Sequence, residues 1–168
     1  MANLHNAAKL IAVCDKNGYT TQVLKKIFAY CGRGNCRVAP AGEPAEPESH
    51  PAVLLLCDTV KVPGAEQFPV CVAGYGIAAR PELQGLRPVT FSAESDSADF
   101  TARNIRRTQD GFTAFEIVGV GVIGRVKLAG DSKRYVEAVL AAAAAAISGG
   151  IAFAEVLEAL NRIEIEEE

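Results

Sequence analysis

The stretch "AVCDKNGYTTQVLKKIFAYCG", residues 12–32, decides how this chain is read. An apolar run ends in a short polar turn, and a helical pattern then opens on paired threonines. Val23, Ile27 and Tyr30 or Cys31 recur at helical spacing, and Gly32 supplies a stop. The preceding "KLIAVC" (9–14) reads as a buried strand. Strand, turn with Asn17 and Gly18, and helix opening on Thr20 and Thr21 together outline a phosphate-binding loop. In such loops backbone N–H groups and a helix N-terminus form a nest for anionic oxygens. A lysine neutralises the outer phosphates, and the threonine after it holds magnesium. Two positions depart from that chemistry: Tyr19 stands where the lysine is needed, and Asp15 where a glycine is. The bland alternative is an ordinary strand-to-helix turn. Asn17 and Gly18 would then supply the turn, and Thr20 or Thr21 an N-terminal hydrogen bond.

Working outward, "CRVAPAG" reads as a short second strand and "GEPAEPESHP" as a surface loop rich in proline and glutamate. The runs "AVLLLCD" (52–58), "FPVCVAG" (68–74) and "LRPVTFSA" (86–93) suit strands of a parallel sheet covered on both faces. Little room is left between them for helices, and "YGIAARPELQG" holds only a short one. "GYG" (74–76) reads as a flexible loop at a strand's C-terminal end, where open α/β sheets bind ligands. Residues 98–130 alternate apolar and polar, with a hairpin signal at "QDG" (109–111) and a second turn near Gly119–Gly124. Asp99, Arg103, Arg106 and Arg107 fall on the solvent side of that strand pair. Two helices follow over 133–148 and 152–163. Gly149–Gly150 caps the first, and the second buries Phe153, Val156, Leu157 and Leu160. The expected fold is α/β in one domain over 1–168. A reduced P-loop-like parallel sheet flanked by helices fills 1–95, and an antiparallel meander with two C-terminal helices fills 96–168.

The chain has 168 residues, 49% of them apolar, which is enough to bury a core. Its net charge of −3 comes from interspersed acids and bases, so no footprint for nucleic acid is expected. The one-sided terminal run "EIEEE" reads as a solvated end. "MANLHNAAKLIAV" lacks the basic and long apolar regions of a signal peptide. "VEAVLAAAAAAISGGIAFAEVL" is broken by Gly149–Gly150 and carries Glu137 and Glu155, which argues against a membrane span. A cytoplasmic protein with no membrane partner is expected. Of five cysteines, Cys14, Cys57 and Cys71 sit in strand-like runs, as small buried hydrophobes of a reducing compartment do. Cys31 and Cys36 in "YCGRGNC" lack the further ligands a zinc site needs, and neither His5 nor His50 has the spacing to help. No Ser/His/Asp or Cys/His set forms, so no catalytic residue is assigned.

The order of these elements resembles the middle, ATP-binding domain of the Mur ligases, the amino-acid ligases of peptidoglycan synthesis. "IAVCDKNGYTTQ" is similar to that family's loop, G-T-N-G-K-T-T. "ADFTARNIRRTQDGFTAFEI" and "VKLAGDSKRYVEAVLAAAAAA" resemble the stretch leading to its central helix. In an intact member the resemblance implies ATP and magnesium, with Asn17, Gly18, Thr20 and Thr21 at the phosphates; with this loop no cofactor is expected unless the ligase alternative holds. Thr20, with Asp58 of "LLLCDT" as a stand-in for the family's glutamate, would hold the metal. Asp15 and Tyr19 are the disabling replacements. "AGYG" (73–76) stands where the family often has N-A-D-D, and "DSKRYVE" lacks its histidine–asparagine pair. The family's UDP-substrate domain, C-terminal domain and carbamylated-lysine insert have no counterpart here. The reading is therefore a degenerate, non-catalytic Mur-ligase-like protein acting through protein contacts, as a homo-oligomer or beside a protein partner. The alternatives are an ATP-dependent ligase domain completed by a partner chain, or a small anion- or nucleotide-binding module.

Overall fold

The computed structural model describes residues 8–42, 49–59, 62, 64–130 and 135–164. Most of the proline- and glutamate-rich loop, the start of the helix expected from 133, His5 and residues 165–168 lie outside them. One eight-stranded sheet organises the chain, in the order β2-β1-β3-β4-β5-β6-β7-β8. Its strands are β1 (Lys9–Cys14), β2 (Cys36–Pro40), β3 (His50–Leu56), β4 (Val70–Gly74) and β5 (Val89–Ser92), then β6 (Phe100–Arg107), β7 (Phe112–Gly119) and β8 (Val122–Ala129). From β2 to β6 every pairing is parallel, and β6-β7 and β7-β8 are antiparallel. The meander is therefore not a separate layer. β6 joins β5 in parallel through Phe91↔Phe100 and Ser92↔Thr101, so both halves share one sheet. Asp99 helps fix that joint: its Oδ2 accepts from the Thr90 backbone N–H at 2.9 Å and hydroxyl at 3.1 Å.

Alternation along the strands sets two faces. Ile11, Val13, Val53, Leu55, Val72 and Phe91 point to the main core. Ala12, Leu54, Leu56, Cys71 and Ala73 point to a smaller one. Both faces are covered, which is why Leu54, Leu55 and Leu56 run consecutively yet are all fully buried. Helices α1 (Tyr19–Tyr30), α3 (Val136–Ser148) and α4 (Phe153–Arg162) pack with the main core. The smaller core lies under the short helix α2 (Tyr75–Ala78) and 3-10 turns at 65–67 and 81–86.

Apart from Glu137 and Ser148 near its ends, helix α3 is apolar all round and packs on α1, α4 and strands β3 to β6, so Ala141–Ala146 are all buried. Alanine suits that position because it favours helix and lets neighbours approach closely. The Gly149–Gly150 stop holds: Gly150 takes φ +107°, and Ile151 N–H returns to Ala146 O at 3.1 Å. On α4, Val156, Ala159 and Leu160 are buried, while Phe153 and Leu157 pack at the core's margin. α4 lies against β8 at Gly124, where an added Cβ would stand 2.1 Å from Leu157 Cδ1.

Candidate functional site

The C-terminal ends of β1 and β3 carry the loop singled out in the sequence. Gly18 sits at φ +72°, a left-handed conformation that suits glycine, and its carbonyl accepts the first helical bond from Gln22 N–H at 3.1 Å. Asn17 Oδ1 accepts from Tyr19 N–H at 3.1 Å, making a short side-chain turn.

Asp15 does more than stand at the mouth. Its Oδ2 accepts from the backbone N–H groups of Thr20 at 2.8 Å and Thr21 at 3.3 Å, and its Oδ1 from the Thr21 hydroxyl at 3.2 Å. The carboxylate thus occupies the start of α1, where unpaired N–H groups and the helix dipole favour an anion. This corrects the bland alternative in one respect. Neither threonine caps the helix with its side chain; the helix start is served by Asp15, five residues upstream. Asp58 takes the next donor, accepting from Lys16 N–H at 2.8 Å.

Tyr19 stacks on Tyr135, at the start of α3, with ring centroids 4.0 Å apart and planes at 16°. Thr20 is buried, and its hydroxyl accepts a weak contact from the Cys57 thiol at 3.9 Å. The structure thus brings together Asp15, Asn17, Gly18, Tyr19, Thr20, Thr21 and Asp58. It adds Tyr135 and Cys57, which the sequence reading did not place here. Tyr135 lies more than a hundred positions from Tyr19, and no local pattern pairs them.

The surrounding field is acidic. Burial, aided by the charges of Asp58 and Asp15, pushes the Cys14 thiol up to about 11. Burial pushes Cys57 up to about 12, partly offset by its hydrogen bond with Thr20. Burial alone pushes Cys71 up to about 11. These thiols are neutral near pH 7; only Cys71 is buried, whereas Cys14 and Cys57, expected to be, are half-buried. Beside Tyr135 on α3, Glu137 is raised by burial and by the charge of Glu94. Among the described residues no group of three or more His, Cys, Asp or Glu side chains could hold a metal ion. "GYG" is not a flexible loop: Gly74 caps and Tyr75–Gly76 begin the four-residue helix α2. No helix among the described residues is long and apolar enough to cross a membrane.

No protein-family model matches the sequence, and no curated protein matches it. Solved structures do match. The UDP-N-acetylmuramoylalanyl-D-glutamyl-2,6-diaminopimelate–D-alanyl-D-alanyl ligase of Acinetobacter baumannii superposes with a TM-score of 0.72 at 16% identity, covering 96% of this chain and 48% of that one. The UDP-N-acetylmuramate-alanine ligase MurC of Thermotoga maritima gives 0.64 at 16%, covering 92% and 44%. A pseudomurein peptide ligase type C from Methanothermus fervidus gives 0.65 at 14%, covering 96% and 50%. The chain therefore has the α/β fold of the Mur ligase middle domain, as the sequence resemblance led us to expect, and spans about half the length of these ligases.

Proposed function

We propose that this chain is a degenerate, non-catalytic Mur-ligase-like protein that acts through protein–protein contacts, as a homo-oligomer or beside an active ligase of cell-wall metabolism. One observation carries the reading: the Asp15 carboxylate already accepts the Thr20 and Thr21 N–H groups that such a loop offers to a phosphate. A triphosphate would have to displace that carboxylate or sit beside it. Two like charges about 4 Å apart repel by roughly 4 kcal/mol at an effective dielectric of 20. That is on the order of a thousandfold in affinity. The lysine that would offset this charge is Tyr19, whose ring is stacked on Tyr135. Of the two residues with a claim on magnesium, Thr20 is buried beside the Cys57 thiol and Asp58 already accepts from Lys16 N–H through one oxygen. The residues present do not fit ATP and magnesium, and no catalytic step is derived through them.

A second reading draws on the half-length coverage of the matched ligases. It is an ATP-dependent amino-acid ligase domain whose missing lysine and acceptor site come from a partner chain. A thermal-shift titration with ATP, with and without magnesium, separates the two. A ligand at a hundredfold excess over its dissociation constant stabilises by about 2.7 kcal/mol. Each kcal/mol moves the midpoint of a domain this size by about 2–4 °C. The proposal expects a flat curve to millimolar ATP; a magnesium-dependent rise of several degrees overturns it.

A further inference from the structure

The strands β6, β7 and β8 bury Phe115, Ile117, Val126 and Leu128 on the helix side. Their other face is open and carries two cross-strand rows: Arg103–Glu116–Arg125 and Arg106–Ala114–Lys127. A β-bulge between Arg103 and Arg106, with Asn104 at φ +54°, brings Arg106 onto the same face as Arg103. In the first row a carboxylate lies between two cations, and Asn104 Nδ2 donates to it at 3.2 Å. In the second row the middle position is Ala114. That leaves a cavity of about 340 Å³ lined by Arg106, Ala114, Glu116, Arg125, Lys127 and Asn161, among others. Among the described residues the cations are held by exposed or local contacts. Arg103 pairs with Asp96 at 3.5 Å, Lys127 with Asp110 at 2.9 Å, and Arg106 donates to Asn104 O at 3.0 Å. Exposed pairs of this kind contribute little and exchange readily.

We infer that this face is a docking site for the acidic end Glu164–Glu168 of a second copy of the chain, laid down as an extended segment. The inference rests on the reading that the protein acts through protein contacts, and names one such contact. Charge and spacing both match. In an extended strand Glu164, Glu166 and Glu168 share one side at a repeat of about 7 Å. Arg125 and Lys127, two apart on β8, repeat at the same interval. A second copy is the source because Lys26 of α1 donates to Glu164 O on the helix-covered side of the sheet. Glu166 is only about 7 Å of chain farther on, and the basic face lies on the sheet's other side. Nucleic acid is a poorer fit: the chain's net charge of −3 gives no electrostatic footprint for a long polyanion.

The test is sedimentation velocity of the whole chain over a concentration series at low and high salt. Three proteins are compared: the native chain, Arg125→Glu with Lys127→Glu, and Glu164→Lys with Glu166→Lys. Circular dichroism checks that each is folded, and Glu164 is exposed. We expect concentration-dependent association of the native chain that weakens with salt, weakening by about tenfold or more in either variant. Mixing the two variants, which restores opposite charges across one interface, recovers it. A native chain that stays monomeric at low salt overturns the inference, as does an oligomer that neither variant weakens. ATP binding is read separately by thermal shift, so loss of the non-catalytic reading and loss of this interface remain distinguishable.

Discussion

Replacing Asp15 with alanine removes one carboxylate and three hydrogen bonds: 2.8 and 3.3 Å from backbone N–H groups and 3.2 Å from the Thr21 hydroxyl. The lost interaction is that of a helix-capping side chain, about 0.5–2 kcal/mol, plus the charge–dipole term of about 0.3–1 kcal/mol. The site is only partly buried, so water re-solvates some of the freed donors, and the sum is about 1–2 kcal/mol. For a domain of this size the melting midpoint falls by about 2–8 °C. Asp15→Asn keeps an acceptor and drops the charge, so it loses less. The informative assay adds inorganic phosphate to each protein. Asp15→Ala exposes the Thr20 and Thr21 N–H groups at a helix start, and phosphate then raises its midpoint while leaving the native protein's unchanged. If Asp15→Ala is as stable as the native protein and equally indifferent to phosphate, the carboxylate is not what holds this loop, and the reasoning fails.

Three further outcomes follow from the same structure. Asn161 Oδ1 accepts from Lys127 N–H at 2.9 Å and its Nδ2 donates to Arg125 O at 3.0 Å, as a neighbouring strand would, so Asn161→Ala reopens the β8 edge. It lowers stability by about 1–2 kcal/mol in chemical denaturation and increases turbidity on heating. Gly124→Ala drives a methyl into Leu157 of α4 and costs about 1–3 kcal/mol by the same denaturation assay, whereas Gly124→Ala with Leu157→Ala recovers part of it. Cys14, Cys57 and Cys71, pushed to about 11, 12 and 11, resist iodoacetamide in the folded protein at pH 8, as peptide mass spectrometry reads. Because burial raises these pKa values above the unfolded value near 9, their contribution to stability is intact below pH 9. It is lost as pH rises from 9 towards 12, so denaturation midpoints fall across that window.

The strands and long helices were legible because their signals are local. "KLIAVC", "AVLLLCD" and the alternation of "FTAFEIV" each carry their own period, and "QDG" marks its own turn. What was not legible depends on distant residues. The sequence reads β6 as the first strand of a meander, yet it also extends the parallel sheet through Phe100, a pairing no local pattern encodes. "GYG" reads as a loop because two glycines flank a tyrosine, yet packing of Ile77 and Ala78 over the smaller core makes it a helical turn. At the loop, the replacements Asp15 and Tyr19 were visible, but their consequences were understated. The Asp15 carboxylate takes the donors itself besides adding charge, and Tyr19 finds the ring of Tyr135 just before α3. Asp15 reaches Thr20 and Thr21 only because Gly18 turns the chain back at φ +72°, a geometry that residue types alone do not disclose.

The most direct measurement is an isothermal titration of magnesium ATP into the native chain and into Asp15→Gly with Tyr19→Lys, which restores the glycine and lysine of the ligase loop. The expected result is no heat of binding for the native chain and measurable binding for the double variant. Tight, magnesium-dependent binding by the native chain contradicts it.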